Sequence, residues 1–190
     1  MRRQTHSVDK TEDQKIISLL ADSKTQRKAF EMVVRQYSEP LYWQIRRIVL
    51  THEDANDVLQ NTFIKAWSNL DNFRQESKLY TWLYRIAINE SLDYVRRMKN
   101  MQNIDVDDEA LKISNMLMAD EYFDGDEAEA RLQAAIATLP EVQRMVFNMR
   151  YYDNLKYSEI SKILTTTEGA LKASYHIAVK KISEYLEQNN

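Results

Sequence analysis

Trp82, Arg85, Asn89 and Arg96 follow one another at spacings that set an indole, two guanidiniums and a carboxamide along one side of a helix. Displayed to solvent, such a line has a chemistry. The aromatic ring stacks on an unpaired base, and the guanidiniums hold phosphates. The loop just before it adds Phe73, Arg74, Gln75 and Lys78, which make a polar pocket beside the line. Core packing next to Leu79 and Leu83 is the competing use of the indole.

A second candidate is "TTTEGALKASYHIAVKKI", residues 165–182, which holds one of only two glycines in the chain. Glycine weakens a helix interior by about 1 kcal/mol relative to alanine, so its place on the helix matters. At 100° per residue the inward stripe is Leu171, Tyr175, Ala178, Val179, Ile182 and Leu186. Gly169, Ala173, His176 and Lys180 fall on the other side, flanked by Lys172. With Thr167 and Glu168 they form a thin, partly cationic face next to the unpaired N–H groups of a helix start. That face suits a phosphate backbone and a DNA groove, and it equally suits an ordinary solvated surface. A third face, Asp54, Asp57, Gln60, Asn61 and Ile64, is acidic and rich in carboxamides. It is a poor DNA surface and a fitting one for a basic protein partner, unless it is only a solvated helix side.

Other chemistries find little material. The chain has no cysteine, and its three histidines, His6, His52 and His176, are far apart, so neither a metal site nor a cofactor is expected. No Gly-rich phosphate loop or nucleophile motif supports a hydrolase or transferase, and the expectation is a protein that is not an enzyme. No stretch approaches 18 consecutive apolar residues and the N-terminus is polar, so the protein is expected to be cytoplasmic, with no membrane insertion of its own.

The elements that must hold these faces are helices. Two glycines and two prolines leave little for the turns of a β protein, and an all-α fold is expected. Periodicity predicts helices over about 13–21, 25–50 with Pro40 inside, 51–67 with Glu53 and Asp54 in its first turn, and 78–99 capped by Ser77. The fourth is expected to bury Leu79, Leu83, Ile86, Ala87 and Tyr94. Residues 100–126 show no sustained period and read as a linker with at most a transient helix. Asp126 caps the next helix. Thr138-Leu139-Pro140-Glu141 carries a capping-box pattern opening a helix to about Tyr151, and helices over 157–164 and 168–186 complete a helix-turn-helix. Net charge is −3, unevenly spread: residues 1–100 carry 17 basic and 13 acidic groups, 101–130 carry 1 and 10, and 131–190 carry 8 and 6. Two mildly basic modules joined by an acidic segment keep nucleic acid in play despite the total.

"DANDVLQNTFIKAWSNLDNFRQESKLYTWLYRIAINESLDYVRR" resembles the region-two module of bacterial sigma factors, and "LPEVQRMVFNMRYYDNLKYSEISKILTTTEGALKASYHIAVKKI" resembles their region-four helix-turn-helix. Their order, with an intervening segment too short for a region-three domain, is similar to the extracytoplasmic-function (ECF) branch of the sigma-70 family. The resemblance implies an N-terminal segment with a short helix (1–24), region two (25–100), an acidic linker (101–127) and a winged-helix-like region four (128–190). It implies a specificity subunit of RNA polymerase. Asp54, Asp57, Gln60 and Asn61 would dock on the β′ coiled coil, and region four would meet the β flap. Phe73, Arg74, Lys78, Tyr80, Trp82, Arg85, Asn89 and Arg96 would capture the opened minus-10 element. Thr167, Glu168, Gly169, Lys172, Ala173, His176 and Lys180 would read the minus-35 duplex, and an anti-sigma factor is the implied regulator.

Departures from the family pattern are local. Asn154-Leu155-Lys156-Tyr157 stands where Gly-Leu-Ser-Tyr is usual, Thr165 where the interhelical turn has glycine, and Lys172-Ala173-Ser174 where Lys-Ser-Arg is common. The alternative is a one-component helix-turn-helix regulator, which would bind DNA tightly without polymerase. On the sigma reading, His176→Ala changes the preferred minus-35 sequence in a randomised-promoter selection; an identical preference removes His176 from the reading face.

Overall fold

The computed structural model describes residues 10–73, 78–102, 109–120 and 125–188. These form α1 (Lys10–Leu20), α2 (Gln26–Val49), α3 (His52–Ser68), a 3-10 turn (Leu70–Asn72), α4 (Leu79–Gln102), α5 (Glu109–Ala119), α6 (Glu127–Ala137), α7 (Glu141–Tyr151), α8 (Tyr157–Leu164) and α9 (Glu168–Gln188). No strand occurs among the described residues, and the fold is all-α. Residues 125–188 are described without a break and hold no β-hairpin, so this part of the chain is a plain helix-turn-helix without the expected wing.

In the N-terminal bundle, α1 and α4 pack on α2 and α3. Val33, Tyr37, Leu41 and Ile45 recur every four residues on α2 and are fully buried against Ile16 of α1, Val58 of α3, and Leu79 and Leu83 of α4. α2 runs unbroken through Pro40 and ends where Leu50 turns left-handed, φ 73°. Thr51 Oγ1 then accepts from the Asp54 amide at 3.2 Å and starts α3, whose first-turn acids Glu53 and Asp54 suit the dipole. The expected Ser77 cap on α4 lies outside the described residues.

α6, α7 and α9 form a second core from Ile136, Leu139, Phe147, Ala178 and Ile182, with the Phe147 ring stacked on Tyr151 and on Tyr175 at 5.1 and 5.8 Å. Asp126 caps α6 as expected, its carboxylate accepting from the Glu129 amide at 2.9 Å. Val179, expected inward, is exposed, because the buried line narrows to Leu171, Ala178 and Ile182 as α9 leaves α8 behind.

Two further expectations fail. Residues 109–119 form a regular helix, not a bare linker. Leu117 on α5 is buried with Leu50, Ala130 and Ala137, so this helix packs on α6 and on the end of α2. The capping box at Thr138 does not form either. Thr138 ends α6, its hydroxyl donating to Ala135 O at 2.8 Å, and Pro140 precedes α7 with no side-chain cap. The Glu141 side chain is drawn instead to Arg96.

The two helical modules share a third core. Ile48, Tyr84, Ile88 and Leu92 from α2 and α4 pack with Met145, Val146, Met149, Ile160, Ile163 and Leu171 from α7, α8 and α9. α4 is therefore buried on two sides. The turns that aim α8 and α9 require left-handed backbone: Asn154 has φ 51° and Thr165 φ 52°. Asparagine tolerates this region, whereas a β-branched threonine does so at a cost of roughly 1–2 kcal/mol. Thr165→Gly is expected to raise the stability of the C-terminal module by about 1 kcal/mol, read as a later urea midpoint at unchanged slope.

Candidate nucleic-acid interface

α4 presents less of the candidate line than its periodicity suggested. Arg85 and Asn89 are exposed, and so is Lys78 just before the helix. Trp82 is buried: only 8% of it is accessible, and it packs with Leu79 and Leu83, its ring tilted on Phe73 at 5.1 Å. Tyr80 is turned inward too. It stacks on Tyr37 at 6.0 Å and meets Tyr84 edge-on, and burial together with the charge of Asp153 raises its phenol well above the ordinary range. Trp82 joins the bundle core beside Leu79 and Leu83, while Tyr80 lies between that core and the one α4 shares with the C-terminal module. Arg74 lies outside the described residues.

Arg85, Asn89 and Arg96 line a cleft of about 820 Å³ between α4 and the C-terminal module, whose far wall includes Glu141, Met145, Ile163 and Thr165. Arg96 is exposed yet already matched. Its Nη2 lies 2.5 Å from Glu141 Oε1, its Nε donates to Glu141 Oε2 at 2.9 Å, and Asp93 is 3.4 Å from Nη1. The bidentate carboxylate holds the guanidinium charged and raises its pKa further. Glu141 thus takes up the Arg96 donors on the cleft side.

On α9, Thr167 Oγ1 accepts from the Ala170 amide at 3.4 Å, and Glu168, Gly169, Lys172, Ala173, His176 and Lys180 are all exposed. A Cβ built on Gly169 meets nothing within 4 Å. Neither packing nor φ requires the glycine, so its absent side chain is open space toward solvent. Lys180 is 3.7 Å from Glu184 on its own helix, an exposed pair of little strength. Lys172 leans over the Tyr157 ring at 5.7 Å, and Arg150 approaches the same ring at 4.9 Å. Sequence reading missed this two-cation arrangement. Tyr157 and Lys172 are separated by a turn, and the spacing of Arg150 to either gives no periodic signal.

The α3 face stands as expected, with one addition and one change. Asp57, Gln60 and Asn61 are exposed, and beside them lies an apolar groove of about 610 Å³ lined by Phe30, Val34, Leu59, Phe63, Ile64 and Trp67. Ile64 and Trp67 are 57% and 43% accessible, an unusual display of apolar surface. Trp67 lies seven residues after Gln60 on the same stripe, a signal that was available in the sequence. Asp54 is half-buried, its carboxylate accepting a short hydrogen bond from the Tyr94 hydroxyl on α4. Burial, and then that bond, push Tyr94 up to about 12 from its ordinary 10.0, so the contact is intact below pH 10 and is lost as pH rises through 12.

Residues 33–100 match the family model described as sigma-70 region 2, and residues 129–182 match sigma-70 region 4. The chain is 32% identical over 171 residues to the RNA polymerase sigma-H factor of Pseudomonas aeruginosa, covering 85% of this chain and 88% of that protein. The chain belongs to the ECF branch of the sigma-70 family. Similar relatives include the ECF sigma factor SigW of Bacillus subtilis, 32% identical with 80% of this chain and 86% of SigW covered. ECF sigma-E of Escherichia coli K12 is 33% identical, with 79% and 82% covered. Two solved structures share the fold. CnrH, in complex with the cytosolic domain of CnrY, gives a TM-score of 0.67 at 20% identity over 94% of this chain and 99% of that chain. RpoE of Bartonella quintana, in complex with the anti-sigma factor NepR, gives 0.63 at 22% identity over 86% and 99%.

As a sigma factor the chain serves transcription initiation by RNA polymerase at promoters. No helix among its described residues is long and apolar enough to cross a membrane. Because Gly169 needs neither space nor a special φ, Gly169→Ala is expected to stabilise this sigma factor by about 0.5–1 kcal/mol, measured by thermal unfolding.

Proposed function

We propose that this sigma factor docks on core polymerase through Asp57, Gln60 and Asn61, with Asp54 held from behind by Tyr94 and with Ile64 and Trp67 supplying the apolar contact. The observation that carries this reading is the pairing of an exposed acid and carboxamide stripe with an apolar groove on α3. A basic amphipathic helix, such as one strand of the β′ coiled coil, satisfies both halves.

The minus-10 strand is taken by α4 and the segment before it. Lys78, Arg85, Asn89 and, once released from Glu141, Arg96 hold the backbone, while Phe73 and the edge of Trp82 wall the pocket for an extruded base. Extrusion costs a few kcal/mol, which stacking at roughly 1–3 kcal/mol per base offsets, so opening needs no ATP. The protein then acts as a specificity factor and not as a catalyst. Thr167, Glu168, Gly169, Lys172, Ala173, His176 and Lys180 meet the minus-35 duplex, the bare Gly169 and Ala173 positions letting the start of α9 approach closely. Arg150 and Tyr157 steady Lys172 toward a phosphate and offset the arginine missing at Ser174. Residues 25–100 and 128–190 act as the two working modules, the latter also meeting the β flap. The site of action is the cytoplasm, and an anti-sigma factor regulates it, as CnrH and the Bartonella RpoE are seen bound to such partners or to a cytosolic domain.

This function requires an open form. Elements about 25 base pairs apart lie ~85 Å from each other at 3.4 Å per base pair. A compact chain of this length is only about 40 Å across, by the usual scaling of radius with residue number. The modules must therefore part before both elements are read.

In vitro transcription with core polymerase over a genomic promoter library tests the reading. New start sites are expected only when the protein is added; DNA binding without polymerase and no new start sites would favour the one-component regulator. Asp57→Arg is expected to weaken core binding at least tenfold with an unchanged far-UV spectrum, and wild-type association by that variant rejects the assigned docking face.

A further inference from the structure

Consecutive arginines at the end of α2 meet two aspartates from the C-terminal half of the chain. Arg46 is 1% accessible, and its Nη2 lies 2.5 Å from Asp120, just after α5. Arg47 is 5% accessible, and its Nη1 lies 2.7 Å from Asp153, in the turn between α7 and α8. Asp153 also accepts from the Tyr84 hydroxyl at 2.6 Å and from Gln44 Nε2 at 3.2 Å, so three side chains of the N-terminal bundle converge on it. The Arg47 guanidinium is sandwiched further by the Tyr152 ring at 4.6 Å.

These pairs are incompletely satisfied. Among the described residues, Gln44 Oε1, Arg46 Nε and Nη1 and Arg47 Nε are buried with no hydrogen-bond partner. Desolvating a guanidinium and a carboxylate costs about what their attraction returns, and each unpaired donor adds to the cost. Both groups regain full hydration if the modules separate. The apolar side chains of the shared core supply the attraction between the modules, and the two ion pairs fix the register in which they meet.

We propose that Arg46–Asp120 and Arg47–Asp153 form a two-point latch that keeps the free sigma factor closed, with Glu141 masking Arg96 and the C-terminal module walling the cleft in front of Arg85 and Asn89, until a partner draws the modules apart. The masking part rests on the assignment of α4 to the minus-10 strand; the latch itself does not. The latch predicts opposite outcomes for two kinds of change. Asp153→Ala strands three buried donors and favours the open form, where water satisfies them. Arg46→Met combined with Asp120→Leu replaces a marginal ion pair by apolar contact and favours the closed form.

The absence of cysteine allows clean labelling of the full chain with a donor and an acceptor dye at Arg35→Cys and Glu187→Cys, both exposed and outside the candidate faces. In free protein, energy transfer is expected to fall and the X-ray scattering radius to rise for Asp153→Ala. The Arg46→Met, Asp120→Leu variant is expected to keep or raise transfer, and to need more core polymerase to reach the open signal. Apparent core affinity should rise at least fivefold for the first and fall for the second. Transfer that is unchanged in Asp153→Ala with helix content intact, or that falls in both variants, overturns the latch. Should Asp153→Ala unfold, the double variant still decides: transfer lower than wild type rejects the proposal. A correct transfer pattern with no response to core polymerase would retain the latch and reject the sigma assignment of the faces.

Discussion

Asp153 draws Tyr84, Gln44 and Arg47 across the molecule, and the packing of α4 against the C-terminal module follows from that junction. With the junction made, α4 has two neighbours. Leu79, Leu83 and Ala87 serve the N-terminal bundle, while Tyr84, Ile88 and Leu92 serve the shared core. Only the strip between those faces is left to solvent, and it opens into the cleft that Glu141 and Thr165 border. The accessible surface of α4 is thus set by a contact between modules and not by α4 alone.

The three faces differ in how they are prepared for binding. The α3 face is available as it stands: its polar stripe is exposed, its apolar groove is open, and Asp54 is held in place by Tyr94. The α9 face is also exposed, but the helix is aimed by a strained turn at Thr165 and by its burial of Leu171 in the shared core. On the α4 face Arg96 is already matched by Glu141, while Arg85 and Asn89 open into the cleft. On the proposed assignment of the faces, this arrangement favours polymerase docking before strand capture, because the first partner needs no rearrangement and the second needs the modules apart.

Acidic segments between basic modules commonly act as passive spacers, but α5 behaves otherwise. Leu117 anchors it on Leu50, Ala130 and Ala137, and Asp120 then reaches Arg46. The charge that made residues 101–130 read as solvated chain is used, at one position, to neutralise a buried guanidinium. A local charge count cannot report this, since the partner lies 74 residues away.

The helices, the Asp126 cap, the left-handed Asn154 and the outward faces of α3 and α9 were legible in the sequence, because each is set within a turn or two by spacing, capping and backbone preference. The same local rules failed for Trp82, which is buried, for Tyr80, which is half-buried, for Val179, which is exposed, for Thr138, which caps nothing forward, and for residues 109–119, which are helical. In each case the deciding neighbour is remote: Phe73 and the shared core for α4, Arg96 for Glu141, Leu50 for Leu117. A periodic pattern names one buried stripe per helix, and only tertiary packing decides whether a second side is covered and which charges meet there. The chain by itself determined which helices carry the candidate polymerase, strand and duplex faces; the fold determined which of them a closed molecule shows.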